Sequence, residues 1–447
     1  MPGSLWLNAK MIGTFLNDPA GLSGRLISLL GLGVMVGIAW SLSTNRRAIR
    51  WKTVAWGVAL QLMLGIILLS PEMQQFFFSV VDSGVRKLLS FSEAGADFVF
   101  QSVEPHQIVD GSGEAVTFIG RISPPVKTFA FWILPTIIFF SSLMAILYHL
   151  GIMQRLVRGI AVLMQRTMGT SGAESLSAAG NIFVGQTEAP LLISPFVSKM
   201  TRSELNAVMT GGFATVAGGV MAAYVGFLQD IPGIAGHLVT ASIMSAPASL
   251  AIAKVLVPEE GIPVTMGETP ISVAKPDTNV LEAAARGATE GVKLAINVAA
   301  MLIAFVGLIA MFDWMIGWVV VMGEPLSMSR VLGWFFAPIA FSMGVPWAEA
   351  PIVGGLLGEK IVLTEFIAYI HLGEIVSSGV LSERSAIIAS YALCGFANFA
   401  SIGIQLGGIG GIAPERMGEL ADLSIRALIG GSLAAFMTAT VAGVLIG

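Results

Sequence analysis

The feature that most constrains this 447-residue sequence is a series of apolar stretches, each long enough to cross a lipid bilayer. Only 12% of the residues are charged, whereas an ordinary globular domain carries roughly 25%. A chain of this composition is a polytopic membrane protein, because long uncharged apolar stretches are stable only in lipid. The stretches that we interpret as membrane spans are residues 26–43, 53–70, 128–149, 205–228, 236–256, 294–321, 384–407 and 423–446.

Basic residues set the expected orientation of these spans. The short loop between the first two spans holds Arg46, Arg47, Arg50 and Lys52, and the positive-inside tendency places such a loop in the cytoplasm. The third span then returns inward and leads to residues 151–168, where three arginines are spaced among apolar residues. We interpret that segment as an amphipathic helix on the cytoplasmic surface.

Two further regions fit poorly as simple spans. Residues 171–199 carry the polar triplet QTE at 186–188, and residues 348–377 carry a Thr-Glu pair at 364–365. Each region is long enough for two short helices with a turn between them. Non-helical backbone at this depth is tolerated only where protein or a water-filled cavity covers it. We therefore predict two re-entrant helical hairpins.

The second half of the sequence repeats the first. The stretch GFATVAG at 212–218 aligns with GFANFAS at 395–401, and a Thr-Glu pair precedes each of them. From the span count, the first hairpin opens from the inside of the membrane and the second from the outside. Such inverted repeats are typical of secondary transporters, whose site lies at the midplane where broken helices meet.

The two acidic residues of these pairs, Glu188 and Glu365, are the strongest candidates for a functional site. An ionised carboxylate near the bilayer centre costs at least ~2.5 kcal/mol, so it marks a substrate or ion path by default. We expect the two residues to face each other, with Asn398 and Ser401 close by. In a structural alternative both carboxylates only cap exposed N–H groups at helix ends. That alternative does not explain why both halves repeat the pattern.

Four stretches closely resemble the concentrative nucleoside transporter family. They are GNIFVGQTEAPLL at 180–192, SKMTRSELNAVMTGGFATVAGGVMAAYVG at 198–226, LTEF at 363–366 and CGFANFASIGIQLGGIGG at 394–411. The resemblance is good from about residue 130 to the end and weak before that. It implies a bacterial Na⁺/nucleoside cotransporter that forms a trimer. Each protomer would combine a scaffold with a transport domain that slides across the membrane as an elevator.

The resemblance also implies roles for individual residues. The residues that would bind the nucleoside are Gln186, Thr187, Glu188, Val220, Glu365, Phe396, Asn398 and Ser401. The residues that would bind the coupling Na⁺, partly through backbone carbonyls, are Asn181, Val184, Thr215 and Val216. The nucleobase would lie against the first hairpin and the ribose against the second. Side-chain chemistry supports this independently, because a carboxylate accepts two hydroxyl hydrogen bonds and an amide matches the imide edge of uracil.

Several alternatives remain open at this stage. The same fold could be coupled to protons, with a buried Glu188 as the proton carrier. An elevator transporter for dicarboxylates or amino acids would need positive groups against the substrate, yet the expected site is net acidic. An enzyme would need a nucleophile or a histidine beside the acids. Thr215 could simply bond back to a helix carbonyl, and Lys360 could pair with Glu359 or extend to the membrane interface.

The complete prediction is an all-α polytopic membrane protein with about eight transmembrane helices plus two re-entrant hairpins in inverted repeats. It is not an enzyme, it lies among lipids in the bacterial inner membrane, and it has no nucleic-acid partner. The expected parts are residues 1–126 (N-terminal peripheral and scaffold helices), 127–170 (third span and amphipathic helix), 171–256 (first inverted repeat), 257–346 (polar connection and scaffold span) and 347–447 (second inverted repeat).

Overall fold

In the computed structural model of this protein, the described residues are 22–100, 103–109, 115–121, 128–267, 277–321 and 323–446. Regular structure in these segments is mainly α-helical, as predicted, and 7 helical segments are long and apolar enough to cross a membrane. The beginning of the N-terminal part and residues 268–276 of the polar connection are among the predicted regions that lie outside the described residues.

Three helices and a small β-hairpin precede the repeated part of the chain. The helices are α1 (Leu22–Ser41), α2 (Trp51–Leu68) and α3 (Pro71–Phe100), with a 3-10 turn at Arg46–Ala48. In the β-hairpin, β1 (Val103–Val109) pairs antiparallel with β2 (Ala115–Arg121). Side chains of α3 are mostly exposed, which agrees with a surface helix rather than a buried span.

The first repeat contains five kinds of element in order. They are α4 (Leu134–His149) after a π-helical turn at Phe129–Ile133, the amphipathic helix α5 (Ile152–Met168), hairpin 1, a broken span and the long helix α10 (Ile234–Leu256). Hairpin 1 consists of α6 (Gly172–Gly180), a 3-10 turn at Ala189–Ile193 and α7 (Ser194–Val197). The broken span consists of α8 (Arg202–Ala214) and α9 (Gly218–Phe227).

The second repeat has the same kinds of helical element in the same order, with a short β-ladder between its first two helices. It begins with α11 (Val280–Ile316), a short ladder of β3 (Val320–Val321) and β4 (Glu324–Pro325), and the helix α12 (Met328–Ser342). Hairpin 2 consists of α13 (Ala350–Val362) and α14 (Glu365–Ser377). The broken span is α15 (Glu383–Leu393) with α16 (Phe399–Ile412), and a 3-10 turn at Pro414–Arg416 leads to α17 (Met417–Leu445).

The observed repeat is longer than the predicted one. The sequence motifs indicated a hairpin, a polar-centred span and an apolar span in each half. In the structure, two further helices precede each hairpin: α4 and α5 in the first repeat, and α11 and α12 in the second. The expected spans 205–228 and 384–407 are each interrupted near the middle. The expected span 294–321 began too late, because the first turns of α11 carry charged residues that lower the local hydropathy although the helix continues through them.

Local sequence explains where the broken spans begin and stop. Thr201 and Glu204 form a capping box at the start of α8, in which each side chain binds the other residue's backbone N–H. At the second break, Asn398 is the N-cap of α16 and its side-chain oxygen accepts from the backbone N–H of Ser401. The second break is therefore a capped structural feature, whereas α9 begins after the first break at Ala217 without a side-chain cap. The helices α8, α10 and α17 are largely buried and pack on one another.

Candidate substrate and ion site

The two broken spans touch each other at their breaks. The backbone N–H of Phe396 donates a 3.2 Å hydrogen bond to the carbonyl of Thr215. Gly395 has φ 141°, and a Cβ at this position would lie 2.7 Å from the carbonyl oxygen of Phe213. Only glycine adopts this backbone conformation readily and permits so close an approach. The inverted repeat thus brings its two unwound segments together, as the sequence predicted.

Glu365 lies next to these breaks and is buried, with 3% of its surface exposed. It is the first residue of α14, whose N-cap is Thr364. Its carboxylate accepts a 2.9 Å hydrogen bond from the hydroxyl of Tyr224 in α9 and a 2.8 Å hydrogen bond from the amide of Asn398. The carboxylate of Glu365 therefore belongs to hairpin 2 and is hydrogen-bonded to one residue from each of the two broken spans. Because such a group has about four lone-pair positions, it can still accept hydroxyls from a solute.

The tip of hairpin 1 lies against the same helix, α16. The side-chain amide of Gln405 donates 3.0 Å hydrogen bonds to the side-chain oxygen of Gln186 and to the carbonyl of Met209. One turn further along, Gly408 faces Thr187, so closely that an added Cβ would lie 2.9 Å from the threonine methyl. Residues 398 and 405 are seven positions apart, which is about 10 Å along a helix. Both hairpins thus contact one short stretch of α16.

Glu188 differs from what the sequence predicted. Its side chain is exposed, whereas that of Glu365 is buried. Its hydrogen-bond donors are local, from Thr187 and the backbone of Gly185. Among the contacts of the described residues, none joins Glu188 directly to Glu365. Helix α16 instead joins Glu365, through Asn398, to Gln186 and Thr187, the two residues that precede Glu188.

The predicted ion ligands lie in hairpin 1, at Asn181 and Val184, and at the break of the first broken span, at Thr215 and Val216. Both polar atoms of the Asn181 side chain are buried without a hydrogen-bond partner, and the amide nitrogen lies 3.3 Å from the place of a Cβ on Gly211. The hydroxyl of Thr215 donates to the Gly211 carbonyl at 3.0 Å. That bond is the helix back-bond considered above, and it leaves the hydroxyl oxygen's acceptor positions free.

Backbone carbonyls complete this set. No hydrogen bond among the described residues ends on the carbonyls of Val184 or Val216, and both residues are buried. An unsatisfied amide, a hydroxyl and free carbonyls are the oxygen donors that a hard cation requires, and unwound backbone between half-helices commonly supplies them. The residues present therefore fit a bound Na⁺.

The remaining predicted residues lie around the same region. Val220 is buried on α9, Phe396 is half-buried in the second break, and Ser401 is buried in the first turn of α16. The suggestions for Lys360 were wrong. Its ammonium is fully buried and donates to the carbonyl of Ala392 at 2.8 Å, while Glu359 contacts His371.

Sequence reasoning missed two residues of the site, Tyr224 and Gln405. Gln405 is a polar side chain in the otherwise apolar stretch SIGIQLGG. Like Gln186, it is an amide in apolar surroundings, and this signal was sufficient to identify it. Tyr224 gave no comparable signal, because a tyrosine in an apolar span is usually a packing residue with its hydroxyl at a polar end.

Comparison with known proteins identifies the family. The chain matches the family model described as "Na+ dependent nucleoside transporter C-terminus" over residues 237–443, the corresponding N-terminus over 30–103 and "Nucleoside recognition" over 130–230. It is 39% identical over 474 residues to sodium/nucleoside cotransporter 1 of Mus musculus, covering 99% of this chain and 68% of that protein. The chain belongs to the Na⁺-dependent nucleoside transporter family. The N-terminal match also extends the resemblance, which the motifs had indicated only weakly before residue 130.

Other members of the Na⁺-dependent nucleoside transporter family are similar to this protein in sequence or structure over nearly the whole chain. An uncharacterized transporter of Haemophilus influenzae is 42% identical, with 94% of this chain and 98% of that protein covered. CNTnw in an inward-facing substrate-bound state superimposes with a TM-score of 0.83 at 42% identity, covering 94% of this chain and 99% of the other. A CNTnw variant in an outward-facing state gives 0.82 at 40% identity, with 94% and 97% covered.

Family membership confirms the predicted class of protein. The chain is a multi-pass membrane transporter, not an enzyme, and sodium is the coupling ion of its family. Solved relatives in inward-facing, intermediate and outward-facing states match this chain about equally well, which fits the predicted elevator mechanism.

Proposed function

We propose that this transporter imports nucleosides such as uridine across the bacterial inner membrane, with each uptake step driven by entry of Na⁺. The observation that carries the proposal is the position of Glu365. Its buried carboxylate is fixed by Tyr224 and Asn398, and it stands at the N-terminus of α14, where backbone N–H groups favour a negative charge. A fixed carboxylate with free lone pairs suits vicinal ribose hydroxyls.

The other substrate residues follow from this placement. With the ribose on Glu365, Asn398 and Ser401, the nucleobase extends along α16 towards hairpin 1, where Gln186, Thr187 and Glu188 offer hydrogen bonds. Val220 and Phe396 supply apolar contacts to the flat ring. The separation of about 10 Å between Asn398 and Gln405 along the helix is suited to a solute with hydroxyls at one end and an amide-like ring at the other.

Sodium coupling is proposed to act through hairpin 1. Asn181, Thr215 and the carbonyls of Val184 and Val216 join the hairpin to the break of the first broken span. A cation held there would fix the hairpin tip, and with it Gln186, in the position that binds the base. Substrate would then bind tightly only when Na⁺ is present, which is the thermodynamic requirement for coupling.

We further propose the assembly and the division of the chain. Helices α11 and α4 pack on each other, and α11 exposes large apolar side chains such as Ile303 (78%) and Trp314 (69%). This surface suits contact with other protomers in a homotrimer and with lipid acyl chains. Residues 1–126, 127–170 and 257–346 would supply the scaffold, and the repeats 171–256 and 347–447 would form the moving transport domain.

The test is uptake of radiolabelled uridine by proteoliposomes containing the purified protein. An inward Na⁺ gradient at equal pH on both sides should drive accumulation above the external concentration, whereas an equal K⁺ gradient should not. Accumulation that ignores Na⁺ but follows an inward proton gradient would replace this proposal with the proton-coupled alternative. The absence of uridine uptake under every gradient would reject nucleoside transport.

A further inference from the structure

Lys360 is a buried cation to which the proposed mechanism assigns no role. It lies in the last turn of α13, and none of its surface is exposed. Its ammonium donates one 2.8 Å hydrogen bond, to the carbonyl of Ala392. Among the described residues, no ion pair includes Lys360. A buried charge is strongly unfavourable unless the surroundings compensate it, so this arrangement requires a source of negative potential.

The C-terminal end of α15 supplies part of that potential. Helix α15 ends at Leu393, and Ala392 belongs to its last turn. The last carbonyls of a helix lack intrahelical partners and carry the negative end of the helix dipole. The second broken span is interrupted immediately afterwards, at Cys394 and Gly395. Lys360 therefore attaches hairpin 2 to the buried C-terminal end of a half-helix at the break.

Phe436 and Glu365 supply the rest. The ammonium of Lys360 lies over the ring of Phe436, 5.7 Å from its centroid, and the face of an aromatic ring attracts a cation. Lys360 lies in the last turn of α13 and Glu365 is the first residue of α14, so the two opposite charges stand on either side of one short turn, which Leu363 and Thr364 form. The other titratable groups around the pair are Tyr224, Tyr369 and Cys394. Each of these three is neutral in its protonated form, so Lys360 is the positive group of this cluster.

The repeat relates Lys360 to the proposed sodium site. Lys360 precedes Thr364, the threonine of the second Thr-Glu pair, by four residues. The residue four before Thr187 in hairpin 1 is Phe183, between the proposed sodium ligands Asn181 and Val184. In equivalent places, hairpin 1 presents ligands for an exchangeable cation and hairpin 2 carries a cation of its own.

We propose that Lys360 is a built-in cation of hairpin 2, a positioning residue that fixes this hairpin to the end of α15 and keeps Glu365 ionised to receive the ribose hydroxyls. This inference rests on the proposed role of Glu365. It explains why the second hairpin needs no exchangeable ion to present a carboxylate in a buried site.

The test compares uridine affinity across pH in three variants, by calorimetry with the full-length protein in saturating NaCl. Lys360→Gln keeps a donor for the Ala392 carbonyl but removes the charge, and Lys360→Met removes both. Lys254→Gln is the matched control, because Lys254 is also buried but pairs with Glu174 and Glu259. The measured quantity is the uridine Kd between pH 6 and pH 9.

Without the positive charge, a carboxylate in a buried site takes up a proton more readily. We expect Lys360→Gln to bind uridine at least about tenfold more weakly at pH 6.5 and to recover affinity as the pH rises, by up to about tenfold per unit. Lys360→Met should show the same pH profile. Between pH 6 and pH 7.5 the wild type and Lys254→Gln should give nearly flat profiles, even if Lys254→Gln is less stable to heat.

A flat profile for a folded Lys360→Gln would overturn the inference and leave nucleoside binding by the wild type intact. Failure of the wild type to bind uridine would instead reject the proposed function. A second measurement covers variants that do not fold. The infrared difference between wild type and Glu365→Gln should show an ionised carboxylate at pH 7, and a protonated carboxyl band there would contradict the role of Lys360.

Discussion

The side-chain amide of Asn398 donates a 2.8 Å hydrogen bond to the carboxylate of Glu365. This bond joins hairpin 2 to the first turn of α16. The oxygen of the same amide accepts from the backbone of Ser401, so Asn398 serves as a helix cap and as a partner of the candidate ribose ligand at once. One side chain therefore both caps a half-helix and positions the candidate ribose ligand.

Glu365→Gln should weaken the binding of ribonucleosides. An amide has one acceptor atom where the carboxylate has two, and hydrogen bonds to a charged group contribute roughly 1.5–3 kcal/mol, which corresponds to about a 10- to 100-fold higher Kd. Calorimetric titration with uridine checks the expectation. Glu374→Gln is the control, since Glu374 lies exposed on the same helix and its variant should bind normally. Unchanged uridine affinity in Glu365→Gln would contradict the assignment.

Tyr224→Phe removes the hydroxyl that donates to Glu365 and leaves the ring in place. We expect the uridine Kd to rise by about three- to tenfold, because a net hydrogen bond of ~0.5–1.5 kcal/mol is lost from the group that positions the carboxylate. Tyr369 stacks on Tyr224, with ring centroids 4.1 Å apart, but its hydroxyl donates to the Ser390 carbonyl. Tyr369→Phe should therefore lower the melting temperature without this change in Kd. If both substitutions raise the uridine Kd equally, the effect comes from the packing of the two rings and not from the hydrogen bond of Tyr224 to Glu365.

Thr215→Val should weaken activation by sodium more than it weakens folding. The substitution keeps the side-chain shape but removes the hydroxyl oxygen, and losing one ligand at ~1.4 kcal/mol raises the half-activating Na⁺ concentration about tenfold. Initial uptake rates at varied NaCl measure it. Thr440→Val is the control, because Thr440 makes the same back-bond to a helix carbonyl in α17. If Thr215→Val retains wild-type sodium activation, Thr215 is not a ligand.

Gly395→Ala should disrupt the crossing of the broken spans. Its φ of 141° is strained for any residue with a Cβ, at roughly 1–3 kcal/mol, and the new methyl would meet the backbone of Phe213. We expect a lower melting temperature and loss of uptake. Gly403→Ala in α16, where an added Cβ meets no atom within 4 Å, should be neutral or slightly stabilising. Equal melting temperatures of the two variants would mean that the close contact of Gly395 with the backbone of Phe213 does not contribute to the stability of the fold.

The sequence was informative where a local pattern has one physical explanation. Long apolar stretches predict spans, and the repeated Thr-Glu pairs and Gly-Phe-Ala segments predicted the hairpins and breaks. It failed where a side chain's partner comes from a distant segment. Hydropathy could not show that Lys360 reaches the end of α15, or that Tyr224 meets Glu365 across 141 residues. The exposure of Glu188 depends on the turn of hairpin 1, which residue types alone do not determine.

The central claim is that hairpin 2 holds the ribose while hairpin 1 holds the base and the sodium ion. A structure of this transporter with uridine and NaCl tests it most directly. We expect both ribose hydroxyls within hydrogen-bonding distance of Glu365, about 2.6–3.2 Å, with the uracil ring beside Gln186. Uridine bound elsewhere, or with its hydroxyls turned away from Glu365, would contradict the claim.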